Sequence, residues 1–166
     1  MDVAELSEKI ADALNNAVSD QEFRTATSDH NGVVAAFLRG EISQKELETE
    51  EDFGDRPGVV MFDSLEEFTT ALRMLRFGDD FIRATVSHEQ AHFTVDQKNG
   101  FDPHYTIRFF INAEGKRSLI PSVNTKYPKG LSDRELRELI KKSIEAPEEL
   151  SDSDQEKLQQ GSNQVS

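Results

Sequence analysis

The chain contains no cysteine, which excludes disulfides, thiolate metal sites and cysteine nucleophiles together. It is also short of basic residues, with 19 Lys and Arg against 32 Asp and Glu and a net charge of −13. Nucleic-acid phosphates would repel such a surface, and no Lys/Arg stripe interleaved with aromatics offsets the repulsion. Neither nucleic acid nor an anionic membrane is therefore expected as a partner; the acidity itself reads as solubility. Long apolar runs are missing too. The longest, VVAAFL at Val33 to Leu38, falls far short of the ~20 residues that a membrane-spanning helix needs. The opening MDVAELSEKI lacks the basic and apolar regions of a signal peptide. A soluble, cytoplasmic protein is expected.

What is present suits one compact domain with a modest core: 166 residues, 36% hydrophobic, with eleven Phe to fill the interior. Val3, Leu6, Ile10, Ala13, Leu14 and Ala17 recur at helical steps and predict a first helix. Ser19 to Gly32 reads as a polar connection with a turn at Asn31-Gly32. Ser43 and Glu46 look like a capping box opening an acidic segment that ends by Phe53-Gly54, and DRPG at Asp55 to Gly58 reads as a turn. Val59 to Phe62 is a strand candidate. Asp63 or Ser64 caps a helix bearing Leu65, Phe68, Leu72 and Leu75, which Gly78 breaks. A second helix runs from Asp79 or Asp80 to about Asn99, with Gly100 as its stop. Tyr105 to Ile111, the turn Asn112 to Lys116 and Ser118 to Val123 predict a hairpin, its second strand confined by Pro121 to an edge or an end. Ser132 and Glu135 cap a helix with Leu136, Leu139, Ile140 and Ile144 on one face; a last short helix begins near Ser151 and carries Leu158. The expected fold is α+β and mainly helical, with a small β-hairpin or sheet beside the Asp79–Asn99 helix. Residues 1–57 form an acidic, helical and partly flexible N-terminal region, 58–160 the main domain and 161–166 a disordered tail.

The run HEQAH, residues 88–92, carries the chemistry. Residues four apart on a helix share a face, so His88 and His92 can aim two imidazoles at one ion, at about 2.0–2.1 Å each. Glu89 projects beside them and suits a general base, taking a proton from a water whose pKa zinc lowers towards ~7. With four histidines in the chain, the pattern arises by chance in roughly one such sequence in a hundred. Phe81, Ile82, Val86, Phe93 and Val95 surround it with apolar groups, and imidazoles in such a helix need partners. A bland reading, two histidines merely hydrogen-bonded or exposed, stands beside the zinc reading. Three protein ligands are the rule for catalytic zinc. A metzincin would place a third His at position 98, occupied here by Lys98. His104 lies beyond the helix stop, in a turn at Pro103, and an Asp, Glu or His from a later element is the more natural third ligand.

The motif and the residues after it resemble the zincin-type peptidase domain of the membrane-anchored, ATP-dependent FtsH-type proteases, whose motif is HEAGH. Here Ala91 precedes the second histidine, and the helix continues for about two turns to Asp102-Pro103. A strand start at His104, Tyr105, Thr106 and Ile107, a hairpin, Pro128 to Arg134 and the run RELRELIKKSIEAPEEL come next in similar order. The resemblance covers Asp79 to Gln160. It implies Asp154 as third ligand, in the run SDSDQEKL, with Asp152 the nearest rival and Glu149 and His104 further alternatives. The segment before that Asp is shorter than in the family, and the long C-terminal helical region, ATPase module and membrane anchor have no counterpart.

The expected function is that of a zinc-dependent metalloendopeptidase acting on peptides or unfolded protein, with an extended substrate laid along an edge strand of the hairpin Tyr105–Val123. The alternative is a catalytically inactive zincin-like adaptor or regulatory domain. A metal-free helical interaction protein is a third reading.

Overall fold

Short polar side chains set most helix starts. In the computed structural model, which describes residues 2–48, 56–147 and 151–162, Asp2 caps α1 (Val3–Asn15) and Ser19 caps α2 (Asp20–Leu38). Ser64 caps α4 (Leu65–Met74) and Ser132 caps α6 (Asp133–Ile144). Each accepts the backbone N–H three residues on, at 2.8–3.1 Å, satisfying a donor the helix leaves open. The Ser132 hydroxyl also donates to Glu135 Oε1 at 3.0 Å, so the expected pairing of these two residues forms through their side chains. α3 (Gln44–Glu48) follows Ser43 directly; the rest of the acidic segment expected to end at Phe53-Gly54 lies outside the described residues. α5 (Asp79–Lys98) starts from Gly78 without a side-chain cap, with Asp79 and Asp80 at the positive end of its dipole. α7 (Asp152–Ser162) is the last helix described.

The described residues form an α+β fold of seven helices and a four-stranded mixed sheet. The strands are β1 (Val18–Ser19), β2 (Val59–Phe62), β3 (Asp102–Ile111) and β4 (Arg117–Lys126). β4 pairs antiparallel with the whole of β3, from Asp102↔Lys126 to Ile111↔Arg117. β2 pairs antiparallel with Tyr105 to Arg108, and the two residues of β1 pair parallel with Phe110 and Ile111. Since β4 covers one side of β3 throughout, β1 and β2 share the other, and β4 is an edge. Pro121 sits in that edge opposite Ile107, where its missing N–H breaks no second ladder.

Two clusters fill the interior. The first joins Leu6 and Ile10 of α1, Phe62 of β2, Phe68 and Leu72 of α4, Ile82 of α5, and Tyr105, Ile107 and Phe109 of β3. Phe93 of α5 stacks on Tyr105 with ring centroids 4.3 Å apart, fixing α5 against this face of β3. Gly58 (φ 80°) permits the close approach that precedes β2: a Cβ there would lie 2.8 Å from the Phe109 carbonyl oxygen. The second cluster joins Val34 and Phe37 of α2, Leu47 of α3, Phe101, and Leu136, Ile140 and Ile144 of α6, with Leu158 of α7 packed against it.

Two local expectations are overturned. Ser19 to Gly32 is not a polar connection but mostly α2, and Asn31-Gly32 lies inside that helix rather than in a turn. Tertiary packing overrides the local signal: Phe23 stacks on Phe110 at 3.9 Å, and Asn31, fully buried, donates from Nδ2 to Glu156 of α7 at 3.3 Å. Asp102-Pro103 is likewise not a turn. It opens β3, with Pro103 opposite Thr125, along a stretch where β2 has not yet joined and a missing N–H costs nothing. No described helix is long and apolar enough to cross a membrane.

Candidate metal centre

α5 presents His88, His92 and Asp96 at four-residue steps, with Glu89 three residues before His92, so the four side chains lie on one side of the helix. α7 meets them from across the fold. Its start is a reciprocal cap: the Asp154 N–H donates to Ser151 Oγ at 3.1 Å, and the Ser151 N–H donates to Asp154 Oδ2 at 3.2 Å. This cap holds the Asp154 carboxylate at the end of α7 that faces α5. Its Oδ2 lies 3.2 Å from Nε2 of His88 and 3.2 Å from Nε2 of His92. One donor atom from each of the three residues falls within 4.8 Å of the others. Two donors about 2.0–2.1 Å from one ion at tetrahedral angles stand roughly 3.3–3.4 Å apart, close to the spacing of Asp154 from each imidazole.

Hydrogen bonding sharpens the case for a cation. His92 Nδ1 lies 2.7 Å from the Ser143 carbonyl oxygen and can only donate to it, so in the neutral ring Nε2 is a lone-pair acceptor. That acceptor faces a carboxylate oxygen at 3.2 Å. Two acceptors in this position need a positive charge between them, either a proton or a metal ion. Protons do this work without a metal. The Asp154 hydrogen bond raises the His88 pKa; for His92 burial acts to lower the pKa, but the hydrogen bond and charge of Asp154, the Ser143 carbonyl and Glu89 together raise it. Asp154 shows the converse: burial acts to raise its pKa, but the hydrogen bonds to both imidazoles hold it well below the usual carboxylate range. The carbonyl that fixes the His92 tautomer also orients the ring, as partners of metal-bound histidines commonly do.

Glu89 is 9% exposed, with Oε1 4.0 Å from His88 Nε2. Burial pushes its carboxyl up to about 7, against the lowering influence of the two imidazoles. A carboxyl that takes and gives a proton near neutrality fits acid–base work.

These groups line a cavity of about 380 Å³. β4 contributes Ile120 to Thr125 to its wall, α2 contributes Thr27 and His30, and α6 contributes Ile140 and Ser143. Behind the ligands, Asp96 accepts from Thr125 Oγ1 at 2.5 Å and is hydrogen-bonded to the Ser143 side chain. This buried carboxylate ties the motif helix to the edge strand and to α6.

The structure thus brings His88, His92 and Asp154 together, with Glu89 beside them. His104 stands apart on β3, 3.2 Å from Asp102, and belongs to no such group among the described residues. Asp152 is the first residue of α7, and Glu149 lies outside the described residues. Asp96, Thr125 and Ser143 were missed. Asp96 was within reach, since it follows His92 by one helical turn; Thr125 and Ser143 carry no signal in local spacing. No family model matches the chain, and no curated protein or solved structure matches it either.

Proposed function

We propose that this protein is a zinc-dependent metallopeptidase. The observation that carries the reading is the convergence of His88, His92 and Asp154 on one point, with buried Glu89 adjacent, inside a cavity walled by the edge strand β4. His88 and His92 offer nitrogen donors and Asp154 an oxygen donor, a set suited to a hydrolytic zinc. Bound there, zinc would polarise a substrate carbonyl and acidify a water.

The chain's own residues do the rest. Glu89 takes a proton from the attacking water as its oxygen bonds to the peptide carbonyl carbon. It then returns a proton to the leaving nitrogen as the C–N bond breaks. Its raised affinity for a proton serves both halves of that cycle. β4 offers free backbone groups to an extended chain by strand addition, except at Pro121, which has no N–H to give. The motif helix and the Asp on a later helix are also what the resemblance to FtsH-type peptidase domains implies.

The decisive experiment pairs metal analysis with Glu89→Gln. The wild-type chain, purified without added metal, is expected to carry one zinc and to cleave an unfolded protein such as reduced casein. Glu89→Gln should keep the zinc and lose about 10²–10⁴-fold in cleavage rate. Cleavage retained in Glu89→Gln would sink the mechanism, and absence of zinc from the wild type would sink the metal assignment. Zinc bound without any cleavage would leave a noncatalytic zinc-binding domain.

A further inference from the structure

The cavity holds more than the centre. Lys157 follows Asp154 by one turn of α7 and lines the same cavity. Among the described residues its side chain makes no hydrogen bond and no ion pair, although Asp154, Glu89 and Asp96 are near enough to act on its charge. Arg108 reaches the cavity from β3, with its guanidinium held 4.8 Å over the Phe23 ring of α2. His30, further along α2, completes a group drawn from three elements. In a chain of net charge −13, Lys157 and Arg108 bring two positive charges into a cavity that also holds the acidic Glu89, Asp96 and Asp154, and reduced screening there strengthens the attraction of each cation for an anion.

We propose that Lys157 and Arg108, with His30 beside them, form a carboxylate-binding end of this cavity that selects peptide substrates by an acidic side chain or a free C-terminus. This rests on the metallopeptidase reading of the same cavity and names its substrate class. The planar fork of Arg108 suits two-point recognition of a carboxylate, and Lys157 supplies a point charge on the side nearer Asp154. A peptide held along β4 would then be anchored by its carboxylate while a neighbouring carbonyl lies at the centre. The mutual influence of the basic groups agrees. Burial lowers the Lys157 pKa, against the raising charge of Asp154, and Arg108 lowers it further; burial and then Lys157, Arg108 and Arg56 hold the His30 pKa well below its usual value.

The test uses the full chain as the zinc-loaded Glu89→Gln protein, which binds without turnover. It is offered N-acetylated random octapeptide pools with either a free acid or an amide at the C-terminus. Bound peptides are quantified by mass spectrometry, scoring the acid pool against the amide pool and the enrichment of Asp and Glu over Asn and Gln. One of these preferences should reach about tenfold, the factor expected of one charge-assisted hydrogen bond. Preference for the free-acid pool identifies a C-terminal carboxylate as the anchor; enrichment of Asp and Glu in the amide pool identifies a side chain. Adding Lys157→Met, and separately Arg108→Gln, should abolish the preference with one zinc per chain retained.

Equal binding of all pools, binding of none, or an unchanged preference in both variants would overturn the inference. Zinc content and casein cleavage by the wild type report on the metallopeptidase reading independently. Cleavage without carboxylate preference would refute this pocket alone, and preference without cleavage would refute the catalytic reading alone.

Discussion

The two hydrophobic clusters of this protein enclose different kinds of interior. The cluster around Phe68 is built from α1, β2, α4, one face of β3 and the Ile82, Val86 and Phe93 side of α5. Among the described residues, no buried polar side chain comes from α1, β2 or α4; Asn31, Glu89, Asp96, Thr106, Ser143 and Asp154 belong to α2, α5, β3, α6 and α7. The cluster around Phe37 and Ile140 therefore borders a polar network in which carboxylates, imidazoles and hydroxyls satisfy one another. One side of the molecule is held by apolar contact, which is indifferent to direction. The other is held by bonds that fail if one partner moves by an ångström, and it is there that the candidate centre lies.

The sharpest way to test this division is to damage each side separately. Phe68→Ala removes a fully buried ring and should cost about 3–5 kcal/mol of unfolding free energy. Denaturant unfolding would measure the loss, and zinc affinity should be unchanged wherever the chain remains folded. If the variant lost zinc while still folded, the two sides would not be separable.

Asp96→Asn attacks the other side. It weakens the links to Thr125 and Ser143 and thereby the partner that orients His92. Zinc affinity, read by competition with a chelating dye, should fall by about 10–100-fold. Stability of the metal-free protein should stay within about 1 kcal/mol of wild type. An equal fall in both quantities would assign Asp96 to the core rather than to the centre.

The smallest effect concerns α2, whose Thr27 and His30 line the cavity. Gly32 lies within it, and a Cβ there would meet nothing within 4 Å. Gly32→Ala should therefore stabilise the protein by roughly 0.5–1 kcal/mol through backbone entropy alone. Thermal unfolding would detect this as a modest rise in melting temperature. A loss instead would place Asn31-Gly32 in a non-helical turn in solution, which would move His30 away from the cavity.

Much of the secondary structure was legible because its causes are local. Ser64 and Ser132 announce the helices they cap, Gly100 announces the end of α5, and the turn at Asn112 to Lys116 announces the hairpin. α2 was not legible as one helix, because its stability comes from Phe23 against Phe110 and from Asn31 against Glu156, partners about ninety or more residues away. The start of β3 was misread at Pro103 because a proline's tolerance depends on whether a second strand lies alongside, which no local pattern states.

The sequence by itself determined one half of the centre. The four-residue step from His88 to His92 places both imidazoles on one face of any helix that contains them, and Glu89 must then stand beside them. The other half is a matter of tertiary structure. Asp154 comes from a helix more than sixty residues away, and only the packing of α7 against α2 and α6 sets its carboxylate 3.2 Å from both rings. The same packing places Lys157, Arg108 and the β4 wall around one cavity. Helix periodicity fixes angles within a turn or two, whereas the meeting of distant segments depends on how the apolar faces of the whole chain bury one another.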